Sequence, residues 1–539
     1  MVMTALIFAR LGYYALWGDE ALTALEAKAV QETGDTSMMI DHGNIVAYRN
    51  GLLIHDSCDR STPPLSSYLT AASFSLFGVS AFSARLPFAF LGLGTVALML
   101  LWVRREEWPV LLVLAAGLVG NVSLILFFRQ CRYYAPAIFF SVAIAFVYWR
   151  WKPSPRNLLI LSVLSVLLFV GDYMNYLALY LCMGADWLIW RRKEWNPGWF
   201  GWLCFLGPQA VLIGIVVSIW NPLKTHFGSY EAFNTPGDRI TLFFWYWRDM
   251  HRCEFFAIPV ILLALAVGIV QCRAWLIRGC VAMAVYIAGV ALVSPQIIGH
   301  NVEGEVRYLT PVIPLALALQ TGTLCALLER RERLLIVAVL VVFGTNLLNY
   351  WPTGSRGLHP WELRSTILSY LGELSLPQAE PFTPTAQWIN ENVPEGASIC
   401  VEPYYMIYSL MFHAPKALYG WQLSWPPRPE FAGLPRIHFI GQEPPDYLIC
   451  FGPAAAQMTQ ALQAWNRPDA RYQEVNTIDV YWQDGYRPEL YWRNFQSTTY
   501  FNHDTEAVYI FKRIAPRPAA APESPAAGKT MPTNSRRGG

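Results

Sequence analysis

The stretch LWGDEALTALEAKAVQ, residues 16–31, places two adjacent carboxylates, Asp19 and Glu20, directly after the first apolar segment of the chain. The residues that follow have helical spacing of apolar positions, which predicts an amphipathic helix over residues 20–30. Asp is a preferred N-cap residue and negative charge is favoured at a helix N-terminus, so Asp19 is expected to cap this helix. We expect the apolar and charged segments that follow in the sequence to fold around this acidic pair.

The composition is that of a polytopic membrane protein. Of the 539 residues, 54% are hydrophobic and 14% are charged, whereas about 25% charged is usual in soluble domains. The formal net charge is +2 and the basic residues form short clusters between apolar runs, which gives no sign of a nucleic-acid partner. The ten cysteines show no CxxC and no metal-ligand spacing with His, so no metal site is predicted. A divalent metal as cofactor and a Cys400–Cys450 disulfide are left open.

Apolar runs long enough to cross a membrane recur along residues 1–350. The eleven runs cover residues 1–16, 88–103, 110–128, 133–149, 158–170, 173–190, 199–220, 255–270, 274–298, 308–328 and 334–350. At about 1.5 Å per residue the first run covers only ~24 Å of a hydrocarbon core of about 30 Å. We therefore expect that residues preceding Met1 complete this span.

The basic clusters predict the orientation of these spans. Every second connection carries Arg or Lys, and the positive-inside rule makes those connections cytoplasmic. They are residues 104–105, 150–156, 191–193, 273–278 and 330–333. The first loop, residues 18–87, then faces outward. Within this loop, residues 62–80 carry two prolines and a ladder of Ser and Thr, which favours a helix at the outer surface over another crossing.

The sequence predicts four regions. Residues 1–352 form the membrane domain and residues 353–382 a linker. Over residues 383–513 a helix signal at 385–390 alternates with strand signals at 397–402, 447–451 and 507–512, which is typical of a small α/β domain. This domain is predicted to be extracytoplasmic. Residues 514–539, rich in Pro, Ala and Ser, are predicted to be a disordered tail.

The distribution of charge favours an enzyme over a transporter. Transporters usually carry ionisable residues within their spans, where the substrate passes. The spans of this chain are almost free of charge, with Asp186 near a cytoplasmic end as the main exception. The charged residues lie in the outer connections instead, among them Asp19, Glu20, Arg132, Arg248, Arg252 and Arg307.

An enzyme that moves a sugar from a lipid-linked phosphate at this surface needs two kinds of residue. The leaving phosphate is an anion, and an Arg at membrane depth can stabilise it through its planar donor geometry. The acceptor hydroxyl loses a proton as it attacks, and a carboxylate can serve as the general base. One base and one phosphate clamp suffice for an in-line displacement with inversion. The outer connections supply both residue types.

Five segments in a fixed order carry a family resemblance. They are WGDEA (17–21), STPPLSSYLTAASFSLFGVSAFSARLPFAFLGLGTVALMLL (61–101), RYYAPAIFF (132–140), EVRYLTPVIPLAL (305–317) and TAQWINENVPEGA (385–397). This combination resembles the GT-C glycosyltransferases of the bacterial protein-mannosyltransferase and lipid A aminoarabinose transferase type. It covers residues 17–318 and, more loosely, the remainder. The resemblance implies a GT-C fold, a polyprenyl-phosphate-linked sugar donor, and a lipid or glycan acceptor at the outer face of the bacterial inner membrane.

The resemblance also implies roles for individual residues. Asp19, with Glu20 beside it, takes the place of the catalytic carboxylate of the first loop. Arg307 and Tyr308 are placed near the donor phosphate. Arg85 helps to hold the first loop and is counted among the donor phosphate-binding residues.

Two departures from the family pattern bear on these roles. Many members have a basic residue before the PPL triplet, where this chain has Thr62, and this shifts the expected phosphate binding to Arg248, Arg252 or Arg307. Many also have an acidic residue in the second outer loop, where Tyr134 follows Arg132. The second departure weakens a scheme with two carboxylates or a metal.

Other interpretations of the same residues stay open. Arg85 and Arg132 have positions suited to interfacial anchors, and Arg307 can pair with Glu303 or Glu305 in an exposed ion pair. The alternative functions are a lipid-linked sugar transporter or flippase, a protein O-mannosyltransferase acting on a protein acceptor, and a non-catalytic partner that has kept the fold.

Overall fold

A computed structural model describes residues 1–220, 222, 235–253, 257–296, 298, 304–329, 331–349, 363, 365–376, 380–452, 454–465, 467–479 and 507–514, with the backbone alone at 49, 252, 253, 464 and 465. A bundle of helices occupies the chain up to residue 349, and a mixed sheet follows residue 380. Residues 353–362, 364 and 377–379 of the predicted linker and the predicted tail after residue 514 lie outside the described residues.

The first apolar run forms only a short helix, α1 (Val2–Phe8). The predicted continuous helix over residues 1–16 is not formed, because the backbone turns at Arg10 through a left-handed conformation with φ 52°. Seven helical residues cover only about 10 Å. The chain then runs through residues 9–17 into the second helix.

The helix α2 (Gly18–Thr33) carries the acidic pair in its first turn. It begins two residues before the predicted start, and its N-cap residue is Trp17, without a side-chain cap. The expectation that Asp19 caps the helix is therefore wrong. The charge of Asp19 still lies at the helix end that favours anions. Gly34 ends α2 in the left-handed conformation, at φ 79°.

The rest of the first loop folds over α2. Two antiparallel hairpins pair β1 (Met39–Ile40) with β2 (Asn44–Ile45) and β3 (Ile54–His55) with β4 (Cys58–Asp59). They are followed by α3 (Leu65–Phe77), whose 13 residues reach only about 20 Å. This length agrees with the predicted surface helix, and α3 packs against α2.

The next helix, α4 (Ala81–Val103), begins earlier than predicted. Ser80 and Ser83 form a capping box that starts the helix. The helix therefore includes residues 81–87, the last part of the predicted first loop, and accommodates Pro87 in its second turn. Arg85 lies inside this helix and is buried.

The remaining bundle helices follow the predicted apolar runs closely, with one exception. They are α5 (Trp108–Gly120), α6 (Val122–Phe128), α7 (Tyr134–Arg150), α8 (Pro155–Gly171), α9 (Tyr173–Asp186), α10 (Gly198–Trp220), α11 (Pro236–Cys253), α12 (Ile258–Val270), α13 (Ala274–Val293), α14 (Val312–Leu328) and α15 (Glu332–Gly344). The exception is α11, which lies in a stretch predicted as a connection. A π-helical turn, Trp187–Arg191, extends α9.

Three of these helices, α4, α10 and α13, are each long and apolar enough to cross a membrane. A fourth candidate is the pair α5 and α6, which are bent by 68° at Asn121. Among the described residues these are the helices that meet both criteria, so the count of eleven spans stays a prediction. The shorter apolar helices α7, α8, α12 and α14 complete the bundle.

The chain after residue 365 forms a mixed α/β structure. Its elements are α16 (Thr366–Ser375), α17 (Phe382–Asn392), β5 (Ser398–Glu402), α18 (Ile407–His413), β6 (Leu418–Tyr419), β7 (Tyr447–Phe451), α19 (Ala454–Trp465), β8 (Tyr472–Ile478) and β9 (Val508–Arg513). The sheet order is β6-β5-β7-β9-β8, with β5 parallel to β6 and β7 and with β9 antiparallel to β7 and β8. The helix α16 lies inside the predicted linker. Cys400 and Cys450 are buried and free, so the disulfide is not formed.

The mixed sheet region docks on the start of α2. The helix α18 packs against α2, and its Ser409 hydroxyl donates to the Leu16 carbonyl at 2.5 Å. The Leu16 N–H donates to Nε2 of His413 at 3.0 Å. A Cβ at Gly18 would come within 2.8 Å of the Tyr405 carbonyl oxygen, so glycine is needed for this approach. These contacts hold the start of α2, which carries Asp19, against the mixed sheet region.

Candidate active site

Two arginines from distant turns meet at the carboxylate of Asp19. Arg307, in the 3₁₀ turn Val306–Leu309 before α14, places Nη1 3.0 Å from Oδ2 of Asp19. Arg132, in the turn before α7, places Nη2 3.4 Å from the same oxygen and donates through Nη1 to the Asp19 carbonyl at 3.2 Å. The Asp19 side chain is 23% exposed, so this cluster opens to the surroundings.

Arg307 has a second acidic partner. Its Nε donates to Oε2 of Glu305 at 2.7 Å. This is one of the pairings expected from the sequence, and it coexists with the contact to Asp19; Glu303 lies outside the described residues. Burial lowers the pKa of Arg307, but the charges of Glu305 and Asp19 outweigh burial and hold the pKa above its usual value. The guanidinium therefore stays cationic.

Aromatic rings surround the two cations. The Arg132 guanidinium lies 5.2 Å from the centre of the Tyr133 ring, and that of Arg307 lies 5.3 Å from the centre of the Tyr308 ring. Tyr134 is fully buried and packs edge to face with Tyr133, at 4.7 Å between ring centres. These contacts limit the directions in which the arginines can point.

Glu20 and Arg85 form a buried pair beside this cluster. Arg85 donates through Nε to Oε1 of Glu20 at 2.9 Å and through Nη2 to Oε2 at 2.5 Å. Arg85 also donates to the carbonyls of Leu11, Tyr14 and Ala15. Oε1 of Glu20 accepts a further bond from the Cys131 N–H at 2.8 Å. All these bonds join the loop before α2 to α4 and to the turn that holds Arg132.

Of the other predicted phosphate ligands, one is paired with a neighbouring carboxylate and one lies outside the described residues. Arg248, on α11, forms a two-point ion pair with the neighbouring Asp249, at 2.7 Å for each bond. Oδ2 of Asp249 also accepts from the Gly304 N–H at 2.6 Å, near the Arg307 turn. The Arg252 side chain lies outside the described residues.

A second acidic pair consists of Glu26, on the same helix as Asp19, and Asp59 of β4, and was not predicted. Glu26, seven residues after Asp19, is 2% exposed and accepts from the Ser67 hydroxyl at 2.6 Å. Burial raises the pKa of Glu26 well above its usual value, and the nearby charge of Asp59 raises it further. Asp59 accepts from the hydroxyls of Ser61 and Thr62 at 2.8 and 2.5 Å. Thr62, where relatives often carry a basic residue, thus has a structural bond to Asp59.

The spacing of Asp19, Thr23 and Glu26 was the available signal for this second pair. Positions i, i+4 and i+7 lie on one face of a helix. Thr23, between the two carboxylates in the sequence, ties α2 to the turn before α7, because its hydroxyl accepts from Nη1 of Arg132 at 3.2 Å. Among the residues with described positions, no three His, Cys, Asp or Glu side chains are arranged to hold a metal ion.

No protein-family model matches the chain, and no curated protein matches its sequence. Two solved structures of ArnT from Cupriavidus metallidurans, one bound to undecaprenyl phosphate and one apo, superpose over 95% of this chain with a TM-score of 0.51. The superpositions include 96% of the first ArnT chain and 95% of the second, at 14% and 13% sequence identity. The oligosaccharyltransferase AglB from Archaeoglobus fulgidus, in complex with an inhibitory peptide and a dolichol-phosphate, has a TM-score of 0.41 and 12% identity over 84% of this chain and 69% of its own.

The agreement with ArnT extends over nearly the whole length of both chains. The fold is that of the GT-C glycosyltransferases. The resemblance read from the five sequence segments is therefore confirmed at the level of the fold. In this GT-C fold, the first loop with α2, the turn before α7 and the turn before α14 converge at Asp19.

Proposed function

We propose that this chain is a membrane glycosyltransferase. It transfers a sugar with inversion from a polyprenyl-phosphate-linked donor to a lipid or glycan acceptor at the outer face of the bacterial inner membrane. The observation that carries the proposal is the single carboxylate of Asp19 held between the guanidinium groups of Arg307 and Arg132, at 3.0 and 3.4 Å. The GT-C fold and the undecaprenyl phosphate bound by ArnT support the choice of donor.

The proposed reaction uses each of these groups. The acceptor hydroxyl oxygen bonds to the anomeric carbon of the sugar while the bond from that carbon to the phosphate oxygen breaks. The hydroxyl proton passes to the Asp19 carboxylate as general base. The electron pair leaves with the polyprenyl phosphate, whose charge Arg307 and Arg132 stabilise.

The ion pairs of Asp19 fit this sequence of events. Oδ2 of Asp19 accepts from both arginines. A phosphate that binds the arginines competes with Asp19 for their N–H groups and frees the carboxylate to accept a proton. Glu305 remains bonded to Arg307 and keeps its guanidinium in place.

In this scheme Glu20 and Arg85 position the site and do not touch the reacting atoms. Glu20 is fully buried and its two oxygens are engaged by Arg85 and the Cys131 N–H. The sequence had placed Glu20 among the catalytic residues and Arg85 among the phosphate ligands. Their mutual bonds support a holding role for both residues.

The test compares Asp19→Asn with a matched variant of the same loop. Asp35→Asn removes a carboxylate whose ion pair with Arg60 lies apart from the cluster. We expect Asp19→Asn to lower transfer about 10²- to 10⁴-fold, the usual contribution of a general base, with undecaprenyl phosphate binding retained. Asp35→Asn should keep its activity. Normal transfer by Asp19→Asn at normal expression would remove Asp19 from the mechanism.

The product is identified by mass analysis of envelope lipids and glycans from cells with and without this protein. A lipid or glycan that loses one sugar residue in the absence of the protein identifies both sugar and acceptor. A modified protein in place of a lipid or glycan would indicate the alternative acceptor class.

A further inference from the structure

A cavity of about 730 Å³ lies in the bundle, toward the end opposite to Asp19. The helix α7 shows the separation, because Tyr134 at its start belongs to the site and Arg150 at its end lines the cavity. Its 17 residues correspond to about 25 Å. Ligand sites in proteins commonly have volumes of about 300 to 1,000 Å³, so this cavity is large enough for a ligand.

The mouth of the cavity is basic. Four arginines and two glutamates line it: Arg150, Arg191, Arg273, Arg278, Glu106 and Glu194. The arginines belong to the connections that the positive-inside rule assigns to the cytoplasmic side. Trp102, Trp149 and Trp275 line the cavity close to them, as expected at a membrane interface.

These arginines differ in how closely a carboxylate group approaches each guanidinium. Arg278 is bound at two points by the buried Asp186, at 2.9 Å for each bond. Arg150 donates to the Trp102 carbonyl, and its contact with the Glu106 carboxylate is long, at 3.8 Å. The contact of Arg273 with the Glu329 carboxylate is also long, at 3.7 Å. Arg191 lies over the Tyr148 ring at 4.9 Å and has no carboxylate partner within the part of the chain that is described.

The interior of the cavity is apolar and elongated. It follows α14 from Pro311 to Cys325, a distance of about 21 Å at the helical rise. Ala318 is exposed midway along this path, although Leu317 and Leu319 on either side are each 1% exposed. Thr321 lines the same wall, is 2% exposed, and its hydroxyl has no hydrogen-bond partner among the described residues.

We propose that this cavity binds one anionic phospholipid from the leaflet opposite to Asp19. The phosphate binds Arg191 with Arg150 and Arg273, and one acyl chain runs along α14 past Ala318. Basic pockets between membrane helices on the cytoplasmic side are suited to anionic head groups, and Arg binds phosphate through paired N–H donors. The proposal does not depend on the transferase activity.

The competing occupant is the apolar chain of the proposed donor, entering from the site. The closed end of the cavity argues against it, because Pro311 and Val312 at that end are buried. The cations lie at the far end, about 25 Å from Arg132 along α7. The cavity is thus cationic at one end and apolar inside. A lipid fits it with the phosphate at the arginines and an acyl chain in the interior.

The experiment counts lipids that stay bound. The full chain is purified in mild detergent, stripped with excess detergent, offered phosphatidylglycerol or phosphatidylethanolamine, and measured by native mass spectrometry. We expect one phosphatidylglycerol per chain, retained at least tenfold better than phosphatidylethanolamine. Arg191→Gln and Ala318→Trp should each lower this retention at least tenfold. The control Leu212→Trp places the same indole side chain on an exposed face of α10.

Equal retention of both lipids by the original chain, or unchanged retention in Arg191→Gln, would overturn the proposal. Loss of bound undecaprenyl phosphate from Ala318→Trp, with phosphatidylglycerol unaffected, would overturn it in favour of the donor chain. Arg191→Gln changes only a half-exposed side chain. The phosphatidylglycerol retention of Arg191→Gln therefore tests the proposal even if Ala318→Trp does not fold.

Discussion

Oδ2 of Asp19 lies 3.0 Å from Nη1 of Arg307, a residue 288 positions later in the chain. This contact joins the start of α2 to the turn before α14 and creates the charge pattern of the candidate site. Arg132 adds a second cation at 3.4 Å from the same oxygen.

Arg307→Gln should lower transfer by about 10²- to 10³-fold, the usual effect of removing one donor to a developing anion. Arg307→Lys should recover only part of this loss, because an ammonium cannot reproduce the planar donor geometry. Donor affinity and turnover are measured separately with purified protein. Arg60→Gln, which breaks the ion pair with Asp35 in the same loop, serves as the control. Full activity of Arg307→Gln would exclude Arg307 from phosphate binding.

Glu20→Gln should destabilise the protein by about 3 to 5 kcal/mol, because it leaves the buried charge of Arg85 without its partner. Thermal unfolding in detergent measures this change. Activity should fall in parallel with the folded fraction. An inactive Glu20→Gln variant that is as stable as the original chain would instead assign Glu20 a chemical role.

Glu26→Gln should leave stability unchanged or raise it at neutral pH. The pKa of Glu26 is raised in the folded state by burial and by Asp59, so the folded state binds the proton more tightly than the unfolded state. Stability is therefore lost as pH rises from the unfolded pKa through the folded pKa. Glu26→Gln should flatten this pH dependence, whereas Glu391→Gln, on the exposed face of α17, should not. A large destabilisation by Glu26→Gln at pH 7 would contradict a protonated Glu26.

Acidification should loosen the contact between His413 and the start of α2. Burial, with the charge of Arg85, lowers the pKa of His413 from 6.5 to about 4. Between these values the unfolded state binds more protons, so stability is complete above pH 6.5 and is lost as pH falls toward 4. Unfolding measured from pH 7 to pH 4.5 should show this loss, and His413→Gln should reduce its slope. An unchanged slope would show that another group titrates.

Asn44→Ala should weaken the docking of the mixed sheet region on the first loop. The buried Asn44 side chain donates to the Ala417 carbonyl at 2.9 Å and accepts from the Tyr419 N–H at 2.7 Å. An unsatisfied buried polar group costs about 1 to 3 kcal/mol. Limited proteolysis should cut the variant faster, with exposed Asn392→Ala as the control. Equal cleavage rates would show that other contacts hold the two parts together.

Hydropathy predicted most of the bundle, because lipid-facing helices need continuous apolar sequence. The run 199–220 matches α10 to within one residue, and the strand 447–451 matches β7 in full. The signal failed for α11, whose charged and polar residues interrupt its apolar face. It also failed for α1, where the positive φ of Arg10 ends the helix early.

The site was predicted in part for a different reason. Carboxylates and arginines stand out in the predicted outer connections, so Asp19, Arg132 and Arg307 could be named as candidate site residues from the sequence. Their mutual distances come from contacts over more than a hundred positions, which no local pattern reveals. The pairing of Glu20 with Arg85 and of Glu26 with Asp59 depends on how the loops fold over α2, and was missed for the same reason.

The separations along the chain set an order for biogenesis. As synthesis proceeds from the N-terminus, Glu20 receives its counter-ion once Arg85 has emerged, 65 positions later. Asp19 must wait for Arg132 and then for Arg307, 113 and 288 positions downstream. In a nascent chain, the Glu20–Arg85 pair can thus form early, whereas the contact of Asp19 with Arg307 can form only late. The cluster around Asp19 is therefore completed only after the turn before α14 has been synthesised.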